Sequence, residues 1–551
     1  MVLVILRLPW IGDLGMHAAT VERLRRDLVH PGDPLVRADA PSPYYSPWTV
    51  LLGCLARVSG LSVWNVLRVG AVGALFVLVS GVWRWARVLG GGPRASRVVG
   101  PLAVLCMVLL WGVRDFAWSG FVGLDSLALT VAYPSTLALG LSFHLWAWVT
   151  QAVRLRAGWG AFLGLGVLWA AILLVHQFTG VVASLGVAGV VVAGFFAPAA
   201  PTLPVLSRGS APWTPEGRLR GRGEGFVGGC EWDVAGRAVP RAPIGARLVA
   251  LARRSRRLAQ SRAPFGARLL GGVVLGGVLL WAWPYYDFFS LLRAGGGLEA
   301  VHRPLYDNLS ARYGLVLVGV VALGVRAWRV RVDALVVFFV LGVVVFALGG
   351  VSGHWSWGRV LPAVLIPAQL AVALEACAAW DVLQGWWRAG LAVVVGAALA
   401  VGAWAQVGVV GYAVPRRVLP EVVAERSAPA WQGYGWITPR VRYGDVVLAR
   451  KGPARRIPAY GAYTVAPGYP DVFLADEEER LDAVRRYYAA GTTTAVRRAI
   501  VRRYGVRWVV WAKGDGAPPD GLRRVASGPG GAELYEAVSV RAGAGAVPGS
   551  P

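Results

Sequence analysis

The sequence predicts an α-helical membrane bundle of about eleven transmembrane helices with a small carboxyl-terminal α/β domain. Three observations lead to this prediction. Hydrophobic residues make up 56% of the 551 residues, including 26 Trp, which exceeds the balance of a soluble globular domain. Apolar stretches approaching the roughly 20 residues that cross a bilayer recur along the chain. Beyond about residue 411, the continuous apolar pattern gives way to amphipathic segments.

Eleven apolar stretches are candidate transmembrane helices. The first is about half the length of a span, so this helix is either truncated or begins upstream. We expect no cleavable signal peptide, because "MVLVILRLPW" lacks a basic n-region and a small-residue cleavage site. The predicted spans cover residues 1–10, 66–83, 98–113, 127–149, 158–175, 180–196, 266–283, 314–327, 334–351, 360–379 and 389–410.

The arginines orient this bundle. Translocated short loops avoid Arg and Lys, so the basic linkers "RWARVLGGGPRASR", "QAVRLRAG" and "RAWRVRVD" are predicted to be cytoplasmic. The Arg-free linkers "HQFT" and "GGVSGHW" alternate with them and are predicted to lie outside, together with loops 11–65, 114–126 and 284–312. Four arginines of the first outer loop run against this assignment: Arg23, Arg25, Arg26 and Arg37.

The chain divides into five predicted regions. In the last third, "GDVVLAR" and "RWVVWAK" are typical of strands, and "DEEERLDAVRRYYAAG" and "TTTAVRRAIVRRYG" are typical of amphipathic helices. The predicted regions are an amino-terminal bundle at 1–196 with its outer loop at 11–65, a cytoplasmic Arg-, Gly- and Pro-rich linker at 197–264, a second bundle at 265–410, an extracytoplasmic α/β domain at 411–540, and a disordered tail at 541–551.

Several functional classes are disfavoured. The net charge of +26 does not indicate nucleic-acid binding, because the arginines are dispersed between apolar spans and form no basic stripe interleaved with aromatics. The four cysteines show no CxxC spacing, and the chain has no P-loop, G-x-G-x-x-G or H-E-x-x-H motif. We expect no required cofactor, although the His-rich outer loops would permit a divalent metal.

Ionisable residues collect in the predicted outer loops, and five of the six histidines lie there or at the outer ends of spans. Such residues at the mouth of an apolar bundle usually mark a functional site. In "GDLGMH", Asp13 directly follows the first apolar stretch and could act as a general base or as a favourable charge at a helix amino terminus. His17 lies one helical turn further on, as a ligand, an orienting group or a spectator.

Arg359 is the second candidate position. It begins the apolar stretch "RVLPAVLIPAQLA" in a predicted outer turn, where arginine is disfavoured. Guanidinium binds phosphate through two parallel hydrogen bonds, so Arg359 is a candidate phosphate ligand, with snorkelling to the interface as the alternative. His354 could assist it, and Asp287 and His302 are candidate substrate-binding residues of the outer loops.

These segments resemble the GT-C class of integral-membrane glycosyltransferases. The resemblance rests on "GDLGMH", "PSPYYSPWTVLLGCLARVSGL", "AYPSTLALGLSFHLW", "WPYYDFFSLL" and "GRVLPAVLIPAQLA", followed by an outer α/β domain. It is greatest to the arabinosyl, mannosyl and aminoarabinose transferases of bacterial envelopes, which use polyprenyl-phosphate-linked sugars. The resemblance implies a catalytic carboxylate at Asp13, a phosphate-binding Arg359, and Tyr45 as a further substrate contact. Many members carry paired acids where Asp13 stands alone.

The resemblance implies transfer of a sugar, with inversion, from a polyprenyl-phosphate donor to a glycan, lipid or protein acceptor. Both the site and the C-terminal domain would lie on the extracytoplasmic face of a multi-pass cell-membrane protein. Two alternatives are a transporter or flippase of lipid-linked saccharides and a non-catalytic scaffold of the same fold. A transporter is expected to show internal repeats, and the sequence shows no clear one.

Overall fold

The computed structural model describes residues 1–9, 12–90, 95–196, 264–293, 299–330, 332–427 and 433–537. The chain forms two compact units: residues 1–196 together with 271–551, and residues 197–270. All of the predicted linker at 197–264 except its last residue lies outside the described residues. The predicted tail at 541–551 also lies outside them.

The described residues before position 282 form ten helices. The two helices of the first outer loop, α2 and α3, are amphipathic and lie between a very short first helix and the first long apolar one. The helices are α1 Val2–Arg7, α2 Leu14–Arg26, α3 Pro47–Ser59, α4 Val63–Gly90, α5 Ala95–Leu109, α6 Leu124–Thr130, α7 Pro134–Arg154, α8 Trp159–Val175, α9 Gln177–Phe196 and α10 Pro264–Trp281.

Nine further helices lie in the described ranges between α10 and the C-terminal domain. Short 3₁₀ turns lead into several of them, including Gly314–Val316 between α13 and α14 and Trp355–Val360 before α16. The helices are α11 Ser290–Arg293, α12 Glu299–His302, α13 Leu309–Tyr313, α14 Leu317–Arg329, α15 Ala334–Ser352, α16 Pro362–Val382, α17 Trp386–Ala405, α18 Val410–Ala413 and α19 Glu421–Arg426.

Ten of the eleven predicted spans correspond to helices of the described chain. Seven stretches are long and apolar enough to cross a membrane, and two more helices are apolar but shorter. The first predicted span contains only the six residues Val2–Arg7 in a helix, which rise about 9 Å and cannot cross a bilayer. The span predicted at 127–149 begins later, at Pro134, because proline occupies the first helical position after Tyr133.

The bundle core is built around α16. This helix is mostly buried and packs against α5, α14 and α15, while α7 packs against α4 and α9. Trp85, Trp146 and Phe338 are almost fully buried at the α4, α7 and α15 contacts. At the crossing of α4 and α7, a Cβ on Gly81 would lie 2.7 Å from the carbonyl of Gly140, so only glycine permits this approach.

The three basic linkers gather at one end of the bundle. Arg154, at the end of α7, donates to the carbonyl of Val88 at 2.6 Å. It also interacts electrostatically with Arg326 of α14 and with Asp333, which immediately precedes α15. Arg359, in the linker before α16, contacts His176 of the "HQFT" linker instead. Because α7 and α9 run the length of the bundle, the basic and the Arg-free linkers lie at opposite ends, as the arginine pattern predicts.

The C-terminal domain contains a five-stranded mixed sheet of order β2-β1-β3-β5-β4. The strands are β1 Val446–Leu448, β2 Tyr463–Thr464, β3 Val506–Trp511, β4 Leu522–Ser527 and β5 Glu533–Ala537, with helices α20 Lys451–Ala454, α21 Glu477–Tyr488 and α22 Thr494–Arg503. The two predicted strands and two predicted helices are therefore present. The short β2 and the hairpin of β4 and β5 were not predicted.

The first outer loop is docked onto this domain. Val36 pairs with Thr464 of β2 as an isolated parallel bridge, and Thr464 N–H donates to the carbonyl of Leu35 at 2.8 Å. The buried Arg23 guanidinium donates to the carbonyls of Gly461 and Ala462 at 3.0 and 2.8 Å. The docking of the first outer loop therefore explains why Arg23 occurs in a loop that is predicted to be translocated, where arginine is disfavoured.

The other three exceptional arginines also have local partners. Arg25 and Arg26 form ion pairs with Glu22 on the same helix face, and Arg37 donates to the carbonyl of Gly444. Their positions are explained by these contacts within the loop and with the C-terminal domain.

Candidate functional site

A cavity of about 500 Å³ lies where the Arg-free end of the bundle meets the first outer loop and the C-terminal domain. The starts of α2, α7 and α9, the turn before α16, and the segment 451–472 all contribute to its wall. Its polar lining comprises Asp13, His17, Tyr44, Ser46, Trp118, Ser119, Thr130, Tyr133, Ser135, His176, Gln177, His302, Arg359, Lys451, Arg455 and Tyr469.

Asp13 occupies the position immediately before α2. Aspartate at this position usually accepts a hydrogen bond from a backbone N–H of the first helical turn, but the Asp13 side chain makes no such bond. Gly12, with a φ of +51°, sets the backbone direction that brings Asp13 to the cavity. The Tyr469 hydroxyl instead donates to this carboxylate, and both groups are in the cavity wall.

His17 lies one turn further along α2 and is almost fully buried. Its ring packs edge-on against Tyr133, with 4.7 Å between ring centroids. Burial lowers the pKa of His17 to about 4, against an opposing effect of the Asp13 charge. His17 is consequently neutral at physiological pH, and its Nδ1 atom has no hydrogen-bond partner among the described protein groups.

Arg359 provides a buried cation on the opposite wall. Only 8% of its surface is exposed, and its guanidinium lies over the Phe178 ring at 4.8 Å from the centroid. The Asp13 charge acts on the Arg359 guanidinium over a longer distance. Within the described ranges, no carboxylate lies at ion-pair distance from Arg359. A buried charge without a close partner is costly, so this arrangement favours an anionic ligand.

His176 lies beside Arg359 in the cavity wall. Its Nε2 atom lies 3.3 Å from Nη2 of Arg359, while Nδ1 lies 2.8 Å from the hydroxyl of Thr179. Burial, followed by the Arg359 charge, lowers the pKa of His176 well below its ordinary value. The backbone N–H of Thr179 also donates to Nδ1 at 3.2 Å, so Thr179 holds the neutral ring in place beside the Arg359 guanidinium.

The C-terminal domain completes the cavity with groups that the sequence did not single out. Lys451 and Arg455 bring two cations, and Tyr469 lies near Asp13. Burial and then the Asp13 charge raise the pKa of Tyr469, so its hydroxyl stays protonated. At Gly15 a Cβ would lie 2.3 Å from the carbonyl oxygen of Arg455, so α2 and this segment are in direct backbone contact.

Of the seven predicted site residues, four line the cavity and three do not. Asp13, His17, His302 and Arg359 are in its wall. Tyr45 is buried, and its hydroxyl donates to the carbonyl of Gly32 at 2.8 Å, whereas its neighbour Tyr44 faces the cavity. The roles assigned to the four lining residues stay predictions.

The other two residues have local partners outside the cavity. Asp287 accepts from the backbone N–H of Phe289 and the hydroxyl of Ser290, which caps the short turn at α11. His354 is exposed, with its Nδ1 atom 2.9 Å from the hydroxyl of Ser352. Neither therefore contacts the ligand space around Arg359 in this structure.

Two signals in the sequence could have identified missed residues. The chain has 56 basic residues, and all are arginine except Lys451 and Lys513. A lysine is therefore conspicuous at position 451. Tyr133 immediately precedes the proline that begins α7, which fixes it at a helix entrance. Tyr469 had no comparable signal, because its place depends on docking between distant segments.

No metal centre is evident in the described part of the chain. No group of three or more His, Cys, Asp or Glu side chains is arranged there to hold a metal ion. The cavity residues do include isolated potential ligands, so the expectation of a possible divalent metal stays a prediction.

Comparisons with known proteins bear on the fold. No family model matches the chain, and no curated protein sequence matches it. The arabinofuranosyltransferase AftD from mycobacteria is similar in structure, with a TM-score of 0.51 and 14% identity over 97% of this chain and 41% of AftD. The chain thus spans less than half of AftD, and this likeness confirms the predicted GT-C-like fold.

Two structures of ArnT from Cupriavidus metallidurans also match. The apo form has a TM-score of 0.47 at 15% identity, covering 98% of this chain and 96% of ArnT. The form bound to undecaprenyl phosphate has a TM-score of 0.48 at 15% identity, with the same coverage of both chains.

Proposed function

We propose that this protein is a membrane glycosyltransferase that moves a sugar from a polyprenyl-phosphate donor to a glycan, lipid or protein acceptor. The observation that supports it most is that Asp13 and Arg359, 346 positions apart in the sequence, line one cavity at the Arg-free end of an apolar bundle. A general base and a phosphate-binding cation facing a shared cavity are what this reaction needs.

Arg359 would bind the donor phosphate. The guanidinium is buried, lies over an aromatic ring and has the neutral His176 ring as its neighbour. Because its nearest partners carry no negative charge, a phosphate would supply the missing counter-charge through two parallel hydrogen bonds. The negative charge on the phosphate increases as the sugar leaves, so this interaction is strongest in the transition state.

Asp13 would act on the acceptor. Its carboxylate takes the proton of the acceptor hydroxyl while the hydroxyl oxygen forms a bond to the anomeric carbon. The bond between that carbon and the phosphate oxygen breaks at the same time, and its electron pair leaves with the polyprenyl phosphate. A single displacement of this kind inverts the anomeric centre.

The membrane setting fits a lipid-linked donor. Residues Val175 and Phe178 in the cavity wall belong to the end of α8 and the start of α9, which are apolar helices of the bundle. A polyprenyl chain could lie against such helices while its phosphate reaches Arg359. By the arginine pattern, this end of the bundle and the active site face the extracytoplasmic side of the cell membrane.

Transfer can be measured in membranes that contain the full-length protein and radiolabelled sugars on polyprenyl phosphate. We expect Asp13→Asn to lower the transfer rate about 100 to 10,000-fold, the usual contribution of a general base. Arg359→Gln should lower it similarly through lost phosphate binding. The matched controls are Asp287→Asn and Arg57→Gln, which change the same side-chain types at exposed positions outside the cavity.

The same assay separates the alternatives. Wild-type transfer by Asp13→Asn would overturn the proposed role of the carboxylate. If no donor releases polyprenyl phosphate but the intact donor moves across the membrane, the result would favour a lipid-linked saccharide transporter. Neither activity with any of several donors would favour a non-catalytic scaffold.

A further inference from the structure

A second ligand-sized cavity lies at the end of the bundle opposite the candidate active site. Its volume is about 680 Å³, within the roughly 300–1,000 Å³ of small-ligand sites. It runs between α4 and α7, and its apolar wall is formed by Phe76, Val79 and Trp83. Helix α7 begins at the active-site cavity, where Ser135 is in the wall, and reaches this groove at Gln151, about 24 Å further along its axis.

The polar end of this groove is strongly basic. Arg84 and Arg87 are one turn apart on α4 and therefore project from one helix face. Arg84 lies over the ring of Trp148 at 4.6 Å and donates to the side-chain oxygen of Gln151 at 3.3 Å. Over the described ranges, neither arginine has a carboxylate within ion-pair distance.

The backbone fixes the spacing of the two helices beside this groove. Gly81 and Gly140 bring α4 and α7 into direct contact, one turn before Arg84 on α4. Ser80, on the groove wall, lies 3.2 Å from Nε2 of His144 on α7. Arg84 is thus held toward α7 by neutral partners, with its positive charge uncompensated.

We propose that this groove binds one anionic phospholipid of the leaflet at the basic end of the bundle. The arginines would contact the lipid phosphate, and an acyl chain would lie along Phe76, Val79 and Trp83. Charge complementarity argues for this occupant, because a zwitterionic lipid offers no net charge to two unpaired guanidinium groups. The site is independent of the proposed sugar transfer.

Native mass spectrometry of the detergent-solubilised full-length protein, titrated with phosphatidylglycerol, tests this inference. We expect one saturable lipid, with phosphatidylcholine binding at least tenfold more weakly. The double variant R84Q/R87Q should weaken phosphatidylglycerol binding at least tenfold, since each arginine near an anionic lipid contributes about a fivefold change in affinity.

Two further variants separate a site from a diffuse basic surface. R156Q removes a positive charge from the exposed turn just after α7, outside the groove, and should change binding less than twofold. V79W keeps both charges but fills the apolar wall, so it should also weaken binding at least fivefold. Equal losses in R84Q/R87Q and R156Q, unchanged binding in V79W, or equal affinity for phosphatidylcholine would each overturn the proposal. If R84Q/R87Q does not fold, V79W still decides.

Discussion

Replacing Asp471 with Asn should remove a pH dependence of stability that arises where the first outer loop meets the C-terminal domain. Asp33 and Asp471 are each 1% exposed. One oxygen of Asp33 accepts from the N–H groups of Leu35 and Val36, and one oxygen of Asp471 accepts from Phe473 N–H. The second oxygen of each carboxyl has no other partner among the described protein groups, which fits one shared proton.

The magnitude follows from the pKa values. Burial and then the charge of Asp33 raise the pKa of Asp471 from 3.8 to about 8 in the folded protein. Folding therefore favours the protonated carboxyl. The stability that this proton contributes to the folded protein is fully present below pH 3.8 and is lost as the pH rises through about 8. Between these values one proton is linked to folding, so the unfolding equilibrium changes about tenfold per pH unit. From pH 6 to pH 8, where the folded-state carboxyl is half ionised, this amounts to about 2 kcal/mol.

Thermal unfolding of the detergent-solubilised protein at pH 6 and pH 8 measures this effect. We expect wild type to lose several degrees of Tm between the two values. Asp471→Asn should be nearly insensitive, because its amide can replace the shared proton by donating to Asp33. The exposed Asp520→Asn is the control and should keep the wild-type dependence. Equal pH dependence of wild type and Asp471→Asn would refute the shared proton.

Three further changes have expected outcomes measurable by thermal unfolding. Arg23→Met removes the guanidinium bonds to two buried carbonyls, of which that of Gly461 keeps the N–H of Gly444 as a donor, and should cost about 1–3 kcal/mol. Arg25→Met, which breaks a surface ion pair, should stay within about 1 kcal/mol. Gly15→Ala should destabilise the folded protein by up to about 2 kcal/mol, because the new Cβ would lie 2.3 Å from the carbonyl oxygen of Arg455 and this clash outweighs the better helix propensity of alanine. Its control is Gly164→Ala in α8, which has open space around it and should be neutral or stabilising. Ser46→Ala removes the capping box of α3 and should cost about 1 kcal/mol; no change in Tm would show that the cap is replaced.

Asp13 and Arg359 could be predicted from the sequence because ionisable residues at the ends of apolar helices are rare and conspicuous. Both line the cavity. Tyr45 illustrates the limit of such reasoning: two adjacent tyrosines look alike in the sequence, yet Tyr45 is bound to Gly32 and Tyr44 faces the cavity. Which of two neighbours faces a cavity is decided by the loop conformation, which the apolar pattern does not encode.

The bundle was predictable where apolar stretches are continuous, as for α9 and α15. The prediction was less accurate at residues 127–149, where a proline restarts the helix, and at residues 1–10, where only one short helix forms. The C-terminal contribution to the cavity could not be foreseen. Lys451 and Tyr469 reach it only because the first loop docks on the sheet, and contacts between such distant segments leave no periodic pattern.

The bonds of Arg23 set an order of events during synthesis. Its carbonyl partner at Gly461 lies 438 residues further along the chain. At about 5–20 residues per second, about 20–90 s pass between their appearances on the ribosome. During that interval the guanidinium of α2 must remain in water or with temporary partners, and the wall containing Lys451 does not yet exist. Most of the bundle is therefore synthesised before the wall of this cavity can be completed.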